Sequence, residues 1–305
     1  MMKPCLDSIK NLIEGTASQI KTVLEQSIIL PSMVRIIRKL ETATVWKNRS
    51  SFDSTLDYFI ADIYWIVGNI ACHSDQIDSL LESGIMSAVI NRFGQKKNRY
   101  NTYDNESDLL RDAARAIDEF VSHGSFTQIA RFLDGDDCIR YLFRDDYWSE
   151  EWHYNRGYEY VSAETSPILT IINIIKNLLI KHEKNRQQIK STIGQHKELN
   201  VDDMKEHGLV RYDLFEKIEG NDGIRKIKNL QNLEQHHFCY STDKEEITEA
   251  TIDLLDFYSK MKEKAESEKK IEVVDPKMKK VTVNSNQSKV NEVLPRRMTL
   301  RSSKR

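Results

Sequence analysis

The strongest constraint on this chain is a repeat. A Gln-Ile pair follows a small or polar turn three times: Gly15-Thr16 then Gln19-Ile20, His73-Ser74 then Gln76-Ile77, and Gly124-Ser125 then Gln128-Ile129. Each pair sits inside a similar unit. The units run Leu6 to Leu40, Leu56 to Phe93 and Leu109 to Phe143, and a fourth begins at Pro167. Within a unit an amphipathic helix meets the turn, the pair opens a second helix, and a further helix follows another turn. Ile77, Leu80 and Leu81 mark the second helix, and Ile85, Ala88, Val89 and Phe93 the third, at helical spacing. One such unit cannot bury both of its faces. Units stacked side by side can, so the pattern predicts an all-α solenoid of three-helix repeats.

Composition agrees with helices. Glycine (11) and proline (5) are scarce in 305 residues, whereas sandwiches and barrels need many turn residues. Residues 41–52 and 94–108 read as polar linkers. Residues 145–166 are an acidic insertion carrying Trp148, Trp152, Tyr154, Tyr158 and Tyr160, either a grip for a partner or a loop packed on the repeats. The polar segment 183–210 reads as a loop with partial helix. Tyr212–Leu233 and Glu245–Lys260 read as two more helices, the latter with Ile247, Ala250, Thr251, Leu254, Leu255 and Tyr258 in one stripe. The repeats therefore cover residues 1–262, and a basic, largely disordered tail covers 263–305.

Charge is divided unevenly. Residues 261–305 carry 13 Lys/Arg against 6 Asp/Glu, although the net charge of the chain is −2, so the body is acidic. A nucleic-acid binder would show the opposite distribution, so none is expected as a partner. The tail itself, ending in Arg296-Arg297 and Lys304-Arg305, resembles a localisation signal or a polyanion ligand. No apolar run reaches the ~20 residues a membrane helix needs. Cys5, Cys72, Cys138 and Cys239 form no CxxC pair and read as reduced core residues. His236-His237 are adjacent and face different ways on a helix, so no metal site is expected. No phosphate loop, GxSxG or HExxH occurs, and an enzyme or a cofactor is not expected.

Four stretches carry a resemblance to the armadillo repeats of the importin alpha family. Trp65-Ile66-Val67-Gly68-Asn69-Ile70-Ala71, with Gln76-Ile77 and Glu82-Ser83-Gly84-Ile85, resembles that family's W-x-x-x-N-I-(A/T) helix end and the start of its next repeat. Asp112-Ala113-Ala114, Ala116-Ile117, Gly124, Gln128-Ile129 and Asp137-Cys138-Ile139 resemble another repeat. Asn221-Asp222-Gly223-Ile224-Arg225-Lys226-Ile227-Lys228-Asn229-Leu230-Gln231-Asn232 resembles the family's closing segment, and Asp253 to Tyr258 its last helix. The order implies the last four to five repeats of an armadillo solenoid, which by the resemblance is a right-handed superhelix of stacked three-helix repeats. The chain opens inside a repeat, so the importin-beta-binding arm and the repeats of the major signal groove are expected to be missing.

The resemblance implies a concave surface lined by Trp and Asn at i and i+4. The indole gives a wall for lysine or arginine methylenes and a cation–π partner for the charged head. The amide holds the backbone of an extended peptide. Here the array is incomplete. Trp65 and Asn69 keep the pair. Asn11 has Asp7 in the aromatic place, Glu119 and Arg115 replace the pair in the third unit, and Asn177 follows Asn173 in the fourth. Ordinary packing for Trp65 and a helix-end hydrogen bond for Asn69 are the competing readings. The implied role is a nuclear-import adaptor with weakened signal binding, in nucleus and cytoplasm. Its partners would be proteins bearing basic signals, and the nuclear export receptor or nucleoporins through the last repeats. The alternative is a scaffold derived from such an adaptor that no longer carries cargo.

Overall fold

Helices occupy nearly every described position of the chain, in this computed structural model. Described are residues 2–25, 28–42, 54–94, 105–135, 138–144, 148, 167–196, 210, 212–231 and 241–274. Among them there are thirteen α-helices and no strand. The first three are α1 (Met2–Ile13), α2 (Ala17–Glu25) and α3 (Ile29–Thr42). Then come α4 (Ser54–Ala71), a 3₁₀ turn (Ser74–Gln76), α5 (Ile77–Glu82) and α6 (Ile85–Gly94). The next are α7 (Asn105–His123), α8 (Phe126–Gly135) and α9 (Cys138–Leu142). The last are α10 (Pro167–His196), α11 (Leu214–Gly220), α12 (Gly223–Gln231) and α13 (Ser241–Val274).

The repeated Gln-Ile pair has a local physical cause. Thr16 is the N-cap of α2: its hydroxyl accepts from the Gln19 backbone N–H (3.4 Å), while Gln19 Oε1 accepts from the Thr16 N–H (2.8 Å). Ser125 and Gln128 repeat the reciprocal pair at α8, at 3.3 and 2.9 Å. These are capping boxes, each satisfying two backbone donors that a helix start leaves open. In the second unit His73 stands where the hydroxyl would be. It makes no side-chain cap, and a 3₁₀ turn precedes α5 instead. The isoleucine after each glutamine is fully buried in all three units, so the pair couples a cap to a core anchor.

The units pack through equivalent helices. Among the long helices, α4 lies on α1, α7 on α4 and α10 on α7; the third helices α3, α6 and α9 form a second row, and α5 lies on α8. Each row is apolar inside. Ile63, Ile66, Val67 and Ile70 of α4 and Ala113, Ala116, Ile117 and Phe120 of α7 are all fully buried. Burying each large side chain contributes about 1.5–3 kcal/mol. Gly68 of α4 faces Ala116 of α7 at this contact, where a methyl would meet Ala116 Cα at an ordinary van der Waals distance of 3.5 Å. At the far end Tyr258 of α13 packs edge-on against Phe215 of α11 (5.4 Å between centroids) and donates to Glu219 (2.8 Å).

The chain divides into two units, Met1–Lys264 and Ala265–Arg305. The described part of the second is the end of α13, Ala265–Val274.

Several boundaries differ from the sequence reading. The partial helix read in segment 183–210 is the end of α10, which runs through His196, and residues 197–209 lie outside the described residues. Two distant partners meet its polar side chains: Asn185 exchanges hydrogen bonds with the Val210 backbone, and Glu183 pairs with Lys264 as well as with Arg186 one turn on in the same helix. The single helix read over Tyr212–Leu233 is two. Asp222 adopts a left-handed φ of 60° between them, which a continuous helix forbids. Helix α13 starts at Ser241 and continues to Val274, so residues 263–274 of the expected tail are helical. Cys5 is exposed rather than core; Cys138 is buried as expected. Cys239, His236-His237, the tail from 275 and all of the 145–166 insertion except Trp148 lie outside the described residues.

Candidate peptide-binding face

Helix α4 presents one stripe that is not buried: Tyr58, Asp62, Trp65 and Asn69, spaced so that all four share a helix face. Tyr58 is 60% exposed and the other three are half-buried. The opposite face of α4 carries the buried Ile63, Ile66, Val67 and Ile70. The stripe is thus the side that core packing leaves over.

The other sequence-derived positions lie on the helices that flank α4 in the same row. Asp7 and Asn11 are exposed on α1. On α7, Arg115 is exposed and Glu119 half-buried; on α10, Asn173 is exposed and Asn177 half-buried. Contacts cross each junction. Lys10 of α1 pairs with Asp62 of α4. Cys72, just past α4, meets Glu119 of α7. Asn177 of α10 donates to Asp118 (3.2 Å) and Ser122 (3.3 Å) of α7. Lys181 donates to the Gly124 carbonyl (2.5 Å). Trp65, Asn69, Asn11, Glu119 and Asn177 therefore all belong to one row of helices.

Two of the amides are engaged inside the chain. Asn69 Nδ2 donates to the Trp65 carbonyl at 2.8 Å, the helix-end hydrogen bond that competed with peptide holding. Its Oδ1 remains the group suited to accept from a ligand N–H. Asn177 is committed to Asp118 and Ser122. Glu119 lies 3.5 Å from His123 Nδ1.

Trp65 does not sit in the core. The Lys10 ammonium lies over its ring, 5.3 Å from the centroid, while also pairing with Asp62. Neither Lys10 nor Asp62 was singled out from sequence. An acid three residues before the tryptophan was the available signal, since i and i+3 share a face. Of the insertion, Trp148 is buried: it stacks on Phe143 (5.5 Å) and donates to the Leu142 carbonyl (2.9 Å). Packing, not partner contact, is its role.

Electrostatics change along the face. Burial, then the hydrogen bond and charge of Glu119, push the Cys72 thiol up to about 11, so it is a weak nucleophile at neutral pH. Burial raises the Asp118 carboxyl above its ordinary value against the opposing hydrogen bond of Asn177. Burial, then Lys184, lowers Lys181. Among the described residues no group of His, Cys, Asp and Glu could hold a metal ion, and no helix is long and apolar enough to cross a membrane.

No family model matches the chain. Nor does any curated protein.

Proposed function

We propose that this chain is an armadillo-type α-solenoid acting as an importin-alpha-like adaptor in nuclear protein import, taking basic localisation-signal segments on the row of α1, α4, α7 and α10. The observation that carries the reading is the stacking of equivalent helices from consecutive units. Trp65, Asn69, Asn11, Glu119 and Asn177 belong to the helices of that one row, which supports an extended peptide lying along it. The acidic body suits a basic ligand. The local motifs quoted above supply the family assignment, and with it nuclear and cytoplasmic location and contacts of the last repeats with an export receptor or nucleoporins.

The second reading is a non-transport scaffold. Its support is specific: the Asn69 and Asn177 amides are engaged within the chain, and Arg115 is exposed where a basic ligand would pass. A fluorescent lysine-rich signal peptide, titrated by anisotropy, separates the two. The adaptor binds it saturably and weakly, and Trp65→Ala weakens it roughly five-fold, the equivalent of losing a cation–π contact of about 1 kcal/mol. No saturable binding removes the cargo reading and leaves the scaffold.

A further inference from the structure

Lys10 leaves α1 and reaches a residue 52 positions away in sequence, Asp62 of α4. The same ammonium lies 5.3 Å over the indole of Trp65. A carboxylate beside an aromatic face is a complete receptor for an alkylammonium: the acid supplies charge, the ring its negative quadrupole, and the ring edge packs the methylene stem. The Lys10 and Asp62 side chains are about a quarter exposed, 27% and 21%, so solvent reaches the pair and a competitor can too. Tyr58, one turn earlier on the same face, is the most exposed aromatic of the stripe.

We propose that Asp62 and Trp65 form a lysine-ammonium site that Lys10 fills in cis, so that a basic partner binds by displacing Lys10. The inference rests on the peptide-binding reading above and adds its regulation. The occupant that replaces Lys10 is a lysine side chain of an extended basic segment of a partner protein. Lys10 thereby sets the affinity threshold: a segment with a single weak cation does not compete, because the resident lysine is held at high effective concentration by α1. Removing the Lys10 charge while keeping its stem frees the site without emptying the packing over the indole.

The test is Lys10→Met and Lys10→Arg in the full chain, with the same lysine-rich peptide and with a copy whose lysines are alanine. Circular dichroism melting confirms that each variant is folded. Lys10→Met should bind the lysine peptide about five-fold more tightly than wild type, the counterpart of one solvent-accessible ion pair and one cation–π contact. Lys10→Arg should stay near wild type, and the alanine peptide should bind none of them. The gain should vanish when Trp65→Ala is added. Equal affinity of Lys10→Met and wild type, with Trp65 still required, overturns the cis occupant and leaves the peptide-binding reading standing. Tighter binding by Lys10→Arg as well also overturns it, since the charge would not be the competitor. Absence of binding in wild type and Lys10→Met together overturns both.

Discussion

His182 sits on α10 with its ring 5.5 Å from Phe126 and 5.2 Å from Phe215, and its Nε2 is 2.8 Å from the Tyr212 carbonyl oxygen. A carbonyl only accepts, so Nε2 carries the proton and Nδ1 is the bare nitrogen. Nδ1 is buried without a hydrogen-bond partner. Charging the ring would place a second N–H there facing no acceptor. Burial accordingly lowers the His182 pKa; the carbonyl, Asp213 and Glu183 oppose this and Arg186 adds to it. The folded state then binds fewer protons than the unfolded state below the ordinary histidine value of 6.5. Stability is full above that value and is lost as pH falls through it. Thermal midpoints should therefore drop between pH 7.5 and 5.5, and His182→Gln should flatten that slope. An unchanged slope in the variant would assign the acid sensitivity elsewhere. At this scale, the shared face of Trp65 and Asn69 was legible because their spacing is local. The Lys10 contact was not, because nothing in the sequence brings residues 10, 62 and 65 together before the units stack. For Trp148 the sequence left a partner grip and a loop packed on the repeats both open, and the contact with Phe143 decides for packing at that residue.

Helices and their joints were legible where side chains cap them locally. The Thr16–Gln19 and Ser125–Gln128 boxes act within four residues, so sequence alone exposes them. The break between α11 and α12 depends on a longer-range fact. Gly223 lies where a methyl would meet Phe143 Cζ at 2.8 Å and the Ile218 carbonyl oxygen at 2.9 Å. Lys226 also donates to the Phe143 carbonyl at 2.6 Å, holding α12 against the end of the third unit. Gly223→Ala should consequently lower stability by about 1–3 kcal/mol, the usual cost of forcing an extra methyl into a packed site. Denaturant unfolding measures it; a midpoint equal to wild type would show that the joint can give. The polar end of α10 escaped a local reading as well. Glu183 is buried in ion pairs with Arg186 and Lys264, and these together with its hydrogen bond to Gln187 outweigh burial to hold its carboxyl below the ordinary value. Only the distant Lys264 makes that arrangement complete.

At the scale of Met1–Lys264, the helices pack mainly as neighbours of neighbours: α1 with α4, α4 with α7, α7 with α10. Such a row needs every unit to be covered by the next, which is the physical content of the sequence repeat. The same row leaves the α4 stripe unburied, and an acidic body attracts basic segments toward it. The claim that the row is a peptide surface meets its most direct test in photo-crosslinking. A lysine-rich peptide carrying a photoreactive phenylalanine analogue is crosslinked to the wild-type chain and to Lys10→Met, and the products are mapped by mass spectrometry. Crosslinks should cluster on α4 between Tyr58 and Asn69, with flanking sites on α1 and α7, and unlabelled peptide should suppress them. Crosslinks confined to α3, α6 and α9, the second row, would contradict a peptide surface on α1, α4, α7 and α10.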